Sequence, residues 1–300
     1  MDVHAWILSV KEECLGRKDT GRIVGAIIPP LNRLLEKTAL PTTVAEATDS
    51  DWARLICFRA SLYTKVGWAP RVVGNLRRHV EAQGLLHRNV FAHSIYANAL
   101  IVSGQSDAAI RHLEPLLRTD QDLLRSNQAA HNTLAKAFIF NGKSINAVRY
   151  LEPRLRPEGL LHGNPHSHNI YADALVVNGR SHDAAGHLEP LIQSGELLYR
   201  NSVAHNTYAN ALIESGASAK AVQHLRPLVQ PEGALARDPV SLNIYLKALT
   251  HSGRNKEAEK NLFRWQRPGG VLHDDPVACR MYDRIMAARG TRSVAVPQFV

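Results

Sequence analysis

Apolar positions along most of this chain return at intervals of three and four, the spacing of one face of an α-helix. In residues 201–230, Tyr208, Ala211 and Leu212 form one such stripe, and Ala221, Leu225 and Leu228 form a second. Gly216 separates them, placed where a helix ends in a left-handed turn. Ala209 keeps the middle of the first helix small, so that two helices can approach closely. No segment alternates with the period of two that marks a half-buried strand. The unit is therefore helix–turn–helix.

The same pattern returns along the chain. Turn glycines fall at Gly67, Gly104, Gly142, Gly179, Gly216, Gly253 and Gly290, each followed five residues later by a small residue such as Ala109, Ala184 or Ala258. A period of this length signals stacked repeats, in which each unit buries its apolar face on its neighbours. The fold class predicted is all-α, a right-handed α-solenoid. Asn89, Asn127, Asn164, Asn201, Asp238 and Asp275 precede the first helices as N-caps, three of them followed by proline at the first helical position. Pro115, Pro153, Pro190 and Pro227 fall in the second helices, where proline removes a hydrogen bond and predicts a kink or a restart.

The organisation expected is a degenerate capping hairpin over 1–37, a polar linker over 38–51, the solenoid over 52–290 and a tail over 291–300. The tail is too short for a full second helix. Either the last unit offers an apolar flank to a partner or a second copy, or Val294, Val296 and Phe299 fold back over it.

A net charge of +9 favours acidic partners, nucleic acid or an acidic protein face, without requiring either. Cys14, Cys57 and Cys279 are odd in number and far apart, which suits packed or free thiols in a reducing compartment. The first residues lack a basic start before an apolar core, and no apolar run is long enough to span a membrane. A cytoplasmic location is the expectation.

Tyr208-Ala209-Asn210-Ala211-Leu212, followed by Gly216, Ala221 and Leu225, resembles the tetratricopeptide repeat, and so do the segments beginning at Tyr96 and Tyr171. The 37-residue unit, the histidines and the internal prolines depart from that pattern. His205-Asn206-Thr207 through Gly216 and Ser252-Gly253-Arg254-Asn255-Lys256-Glu257-Ala258 are also similar to pentatricopeptide repeats. The first resemblance implies a groove for an extended protein segment. The second implies pairs that each read one RNA base: Ser94 with Asn127, Asn132 with Asn164, Asn169 with Asn201, Asn206 with Asp238, and Asn243 with Asp275. That order implies a purine, A, followed by pyrimidines.

In either family the first helices line the concave face. Asn132, Asn169, Asn206 and Asn243 would form a ladder there, with Asn98, Lys136, Asp173, Asn210 and Lys247 one turn later. A carboxamide both donates and accepts, so it can hold a peptide group or a base edge, or cross-link neighbouring helices. Arginines keep away from this row. They sit before the caps, at Arg88, Arg125, Arg200 and Arg237, and on second helices.

His93, His131, His168 and His205 recur at one repeat phase. Rings one repeat apart lie roughly 10 Å from each other, too far to share an ion bonded at about 2 Å. They are read as packed interhelical groups, and no metal or cofactor is expected. Gly142-Lys143-Ser144 resembles a phosphate loop, but it follows a helix, not a strand. No nucleophile meets a base in any sequence motif, so an enzyme is not predicted. The leading reading is a non-catalytic scaffold holding an extended segment of a partner protein. The alternative is single-stranded RNA binding at one base per repeat, and a third is a scaffold that uses its C-terminal end.

Overall fold

The computed structural model describes residues 3–15, 21, 23–48, 50–118, 124–193, 195–280 and 282. Among them every regular element is helical. The expectations for residues 291–300, for Gly290 and for self-association through the C-terminal end fall outside the described residues. The chain divides into two compact units, Met1–Arg154 and Leu155–Val300.

The first unit begins with α1 (Val3–Leu15), then a π-helical turn, Ile23–Ile27, that runs into α2 (Ile28–Lys37). Both α1 and α2 pack on α4 (Asp51–Lys65). The polar stretch expected as a linker contains a short helix, α3 (Val44–Thr48), held by Thr42 and Glu46. Three hairpins follow: α4 with α5 (Ala69–Val80), α6 (Val90–Val102) with α7 (Ser106–Leu116), and α8 (Gln128–Phe140) with α9 (Ser144–Leu151). The second unit repeats the plan with α10 (Pro165–Val177) and α11 (Ser181–Leu188), α12 (Ser202–Glu214) and α13 (Ser218–Val229), and α14 (Pro239–His251) and α15 (Asn255–Gln266). Within each unit consecutive hairpin helices pack on each other, and each first helix packs on the first helix of the following hairpin, as in α6 with α8 and α12 with α14. Ala97, Ala135, Ala172 and Ala209 are fully buried along these first helices.

The turn glycines behave as predicted. Gly216 has φ +83, and the next residue closes the turn, Ala217 N donating to Leu212 O at 2.7 Å. That bond satisfies a carbonyl the helix end would leave unpaired. The prolines split into two kinds. At Pro153 and Pro190 the second helix has already ended, and a 3-10 turn takes over at Glu152–Arg154 and Pro190–Ile192. At Pro115 and Pro227 the helix runs through the proline and stops within two residues, so the lost bond falls at a frayed end.

A leucine-anchored loop also recurs between the hairpins. Leu86, Leu124, Leu161, Leu198, Leu235 and Leu272 each stand three residues before a cap, five of them at 0% exposure and Leu235 at 5%. The leucine carbonyl accepts the cap's N–H, as in Asn201 N to Leu198 O at 2.9 Å. At Leu86, Leu198, Leu235 and Leu272 the leucine's own N–H reaches back to the end of the previous second helix or its 3-10 turn, as in Leu235 N to Leu228 O at 2.8 Å. This loop accommodates the long repeat period and anchors each junction with a buried leucine. In the loop before α14 the glycine must be bare: a Cβ on Gly233 would lie 2.2 Å from the Leu228 carbonyl oxygen. Replacing Gly233 with alanine should lower stability by about 2 kcal/mol, a Tm loss of about 5 °C in thermal circular dichroism. An unchanged Tm would show that the loop relaxes freely.

Candidate functional site

From α6 onward the first helices begin at the predicted caps, and each cap bonds the backbone of its own helix. Asn89, Asn127 and Asn201 accept from Ala92 N, Ala130 N and Ala204 N at 2.8–3.0 Å. Asn164 accepts from His166 N and Ser167 N, Asp238 from Ser241 N, and Asp275 from Val277 N and Ala278 N. The cap oxygen has a second duty. Asn169 Nδ2 donates to Asn201 Oδ1 at 3.3 Å, Asn206 Nδ2 to Asp238 Oδ2 at 3.2 Å, and Asn243 Nδ2 to Asp275 Oδ1 at 3.0 Å.

The ladder residues Asn132, Asn169, Asn206 and Asn243 are 3–9% exposed. Three of the predicted pairs therefore meet, side chain to side chain, inside the junction between consecutive repeats of the second unit. Ser94 is also buried, and its hydroxyl turns back to Val90 O at 3.3 Å.

One further donor completes only part of this arrangement. Ser241 Oγ lies 2.8 Å from Asn206 Oδ1. Where Ala204 and Ala278 occupy the same phase, the buried Oδ1 of Asn169 and of Asn243 has no hydrogen-bond donor. An unpaired buried acceptor costs on the order of 1–3 kcal/mol. Ala204→Ser should supply the missing donor to Asn169 and raise stability by about 1 kcal/mol in chemical denaturation. A neutral or negative change would mean the hydroxyl does not reach.

The face left to solvent is the next turn of the first helices. Asn98 and Asp173 are exposed, and Lys136, Asn210 and Lys247 are half-buried. Asp173 accepts from Thr207 Oγ1 at 3.2 Å, and Lys247 Nζ bonds Glu214 at 2.8 Å. Apolar side chains border this polar row. Phe91 and Val102 on α6, and Phe140 on α8, are 55–71% exposed in the first unit. Val177, Val203 and Val240 are 50–60% exposed on α10, α12 and α14 of the second. Such a row offers amide and charge contacts flanked by apolar ones.

The recurring histidines form closed pairs. His93 Nε2 faces His87 O at 2.8 Å, and a carbonyl only accepts, so Nε2 carries the proton. Nδ1 is then the acceptor for His112 Nε2–H at 2.9 Å. His168 with His187 and His205 with His224 repeat this at 3.0 Å. In the third repeat Tyr150 replaces the second histidine and bonds His131 Nδ1. Tyr96, Tyr171 and Tyr208 pack edge-on against His112, His187 and His224. Among the described residues no cluster of three potential ligands could hold a metal ion. Lys143 and Ser144 lie at the turn into α9, not at a phosphate loop.

Burial, and secondarily the facing histidine, pushes His112, His187 and His224 down to about 4. These rings stay neutral in the fold while the unfolded chain takes up protons below its ordinary value near 6.5. Stability is then complete above that value and declines as pH falls toward 4. Between pH 7 and pH 5 the Tm should drop by about 10 °C, and His112→Gln with His187→Gln and His224→Gln should flatten that slope. A Tm constant across this range would count against neutral rings at His112, His187 and His224.

No family model matches the chain, and no curated protein does. Solved structures do. A tetratricopeptide repeat protein from Parabacteroides merdae superposes with a TM-score of 0.58 at 13% identity, over 93% of this chain and 98% of that one. The fold is that of a tetratricopeptide-type helical repeat. The tetratricopeptide-like repeats of a putative kinesin light chain from Podosopora anserina match with a TM-score of 0.50 at 18% identity, over 68% of this chain and 98% of that one. Human IFIT1, solved as a dimer with m7Gppp-AAAA, matches with a TM-score of 0.51 at 12% identity, over 80% of this chain and 59% of that one. Among the described residues no helix is long and apolar enough to cross a membrane.

Proposed function

We propose that this tetratricopeptide-type protein is a non-catalytic, cytoplasmic scaffold that holds an extended segment of a partner protein along the exposed faces of its first helices. The observation that carries the reading is the half-exposed pair Val203 and Val240, which flanks Asn210 and Lys247 on adjacent first helices. An extended chain presents peptide groups at a regular spacing, and the polar row meets those groups while the valines take side chains. The buried carboxamides, Asn169, Asn206 and Asn243, then serve the groove indirectly by fixing the spacing of the helices that carry it. Asn98 and Lys136 give the first unit a corresponding row.

RNA binding is the second reading, favoured by the +9 charge and by the likeness to IFIT1, which was solved with a capped RNA. Its weakness is that three of the matched base-reading pairs already bond to each other. Parallel selections from a random peptide library and a random single-stranded RNA pool, both at physiological salt, separate the two. The expected result is an enriched peptide whose affinity falls about tenfold in Val203→Asp with Val240→Asp, at unchanged Tm. Enrichment from the RNA pool alone, lost as salt rises, would replace the scaffold reading with the second one.

A further inference from the structure

The first hairpin breaks the repeat pattern at three positions, and those positions surround a cavity. Counted from the turn glycine, the paired histidines and their tyrosine lie eleven and eight residues before it and eight after it. In three repeats those places hold His93, Tyr96 and His112, then His168, Tyr171 and His187, then His205, Tyr208 and His224. The three rings close on each other and fill the hairpin. Counted from Gly67, the same places hold Ile56, Arg59 and Asn75. All three line a cavity of about 950 Å³ between α2, α4, α5 and the loop after α5. That volume suits a small organic molecule.

The chemistry of the wall is uneven. Trp52, Leu35, Ile56, Val72 and Leu76 supply an apolar side, and Trp52 stands edge-on to His79 with ring centroids 5.3 Å apart. Arg59 and Arg78 line the same space, with Glu36 as its one carboxylate. Among the described residues neither arginine forms an ion pair. Arg59 Nη1 lies 3.5 Å from Asn32 Oδ1, and its guanidinium stands 5.7 Å from the Tyr63 ring. Arg78 Nε lies 3.3 Å from His79 Nε2. Two guanidinium groups beside an aromatic and aliphatic wall complement an anion on an apolar body, and the planar fork of arginine suits a carboxylate or sulfonate.

We propose that the cavity of the first hairpin binds a small organic anion, a carboxylate on an aromatic or aliphatic body. Arg59 holds the charged group, and Trp52 with Leu35 and Ile56 takes the apolar part. This site is separate from the groove of the first helices and does not depend on it.

The probe for the test is anilinonaphthalene sulfonate, an aromatic anion, with its uncharged relative phenylnaphthylamine as control and indole-3-acetate as competing carboxylate. The full chain at neutral pH should bind the sulfonate saturably at a single site, prefer it to the uncharged probe, and release it to indole-3-acetate. Arg59→Gln should weaken sulfonate binding about tenfold and leave phenylnaphthylamine unchanged. Ile56→His with Arg59→Tyr and Asn75→His rebuilds the filling of the other repeats and should abolish binding of both probes at an unchanged or higher Tm. Equal affinity for both probes, full sulfonate affinity in Arg59→Gln, or undiminished binding in a folded triple variant would each overturn the proposal. Should the triple variant misfold, Arg59→Gln, altered at a half-buried position, still decides it.

Discussion

The junction between repeats depends on one oxygen atom doing two jobs. A cap side chain first satisfies the backbone N–H of its own helix, then accepts the carboxamide of the preceding first helix. Asn201, Asp238 and Asp275 do this in succession across the second unit. A helix end that would otherwise leave polar groups unpaired thus becomes the point at which the next repeat is registered. The buried leucine three residues earlier adds the apolar half of the same joint. Because a solenoid has few long-range contacts, its geometry is set by such nearest-neighbour joints.

The same economy governs the histidines. Within the hairpins of the second, fourth and fifth repeats, two imidazoles and a phenol replace the aliphatic filling a helical repeat would ordinarily use. Each imidazole pair is satisfied in a single proton arrangement, with one N–H on a loop carbonyl and the other on its partner ring. Buried polar networks are tolerated only when every member is paired, and here the loop carbonyl two residues before the cap provides the last acceptor. The third repeat keeps the arrangement with a tyrosine in place of one histidine. The sixth drops it, with Leu242 and Asn261 in those positions and Tyr245 packed against Trp265.

What remains for a ligand is what these joints leave over. In each unit the first helices keep polar side chains at the surface, Asn98 and Lys136 in the first and Asp173, Asn210 and Lys247 in the second, and of these Asp173 and Lys247 also bond the neighbouring repeat. The first hairpin has no histidine filling and keeps an open, arginine-lined space instead. Variation between repeats is thus more informative about binding than the repeated residues themselves, because a residue present in every unit is available to build every junction.

Much of this was legible in the sequence. The period, the turn glycines, the caps and the helical hairpin follow from local rules, since a cap or a left-handed turn is settled by a few neighbouring residues. The pairs implied by the pentatricopeptide resemblance do bring Asn169, Asn206 and Asn243 to the following caps, though as partners of each other and not with a base between them. The direction those side chains face was not legible. A carboxamide at a helix start can point to a ligand or to the next helix, and only the packing of consecutive repeats turned Asn169, Asn206 and Asn243 inward. The leucine loop was not legible because its role lies in backbone bonds, such as Leu235 N to Leu228 O, that no side-chain pattern announces. The histidine partners were not legible because they sit nineteen residues apart on two helices. The sequence by itself determined the repeat and its punctuation, which are local. Tertiary structure alone decided which polar groups are buried and where a cavity remains, because both depend on what the neighbouring helices cover.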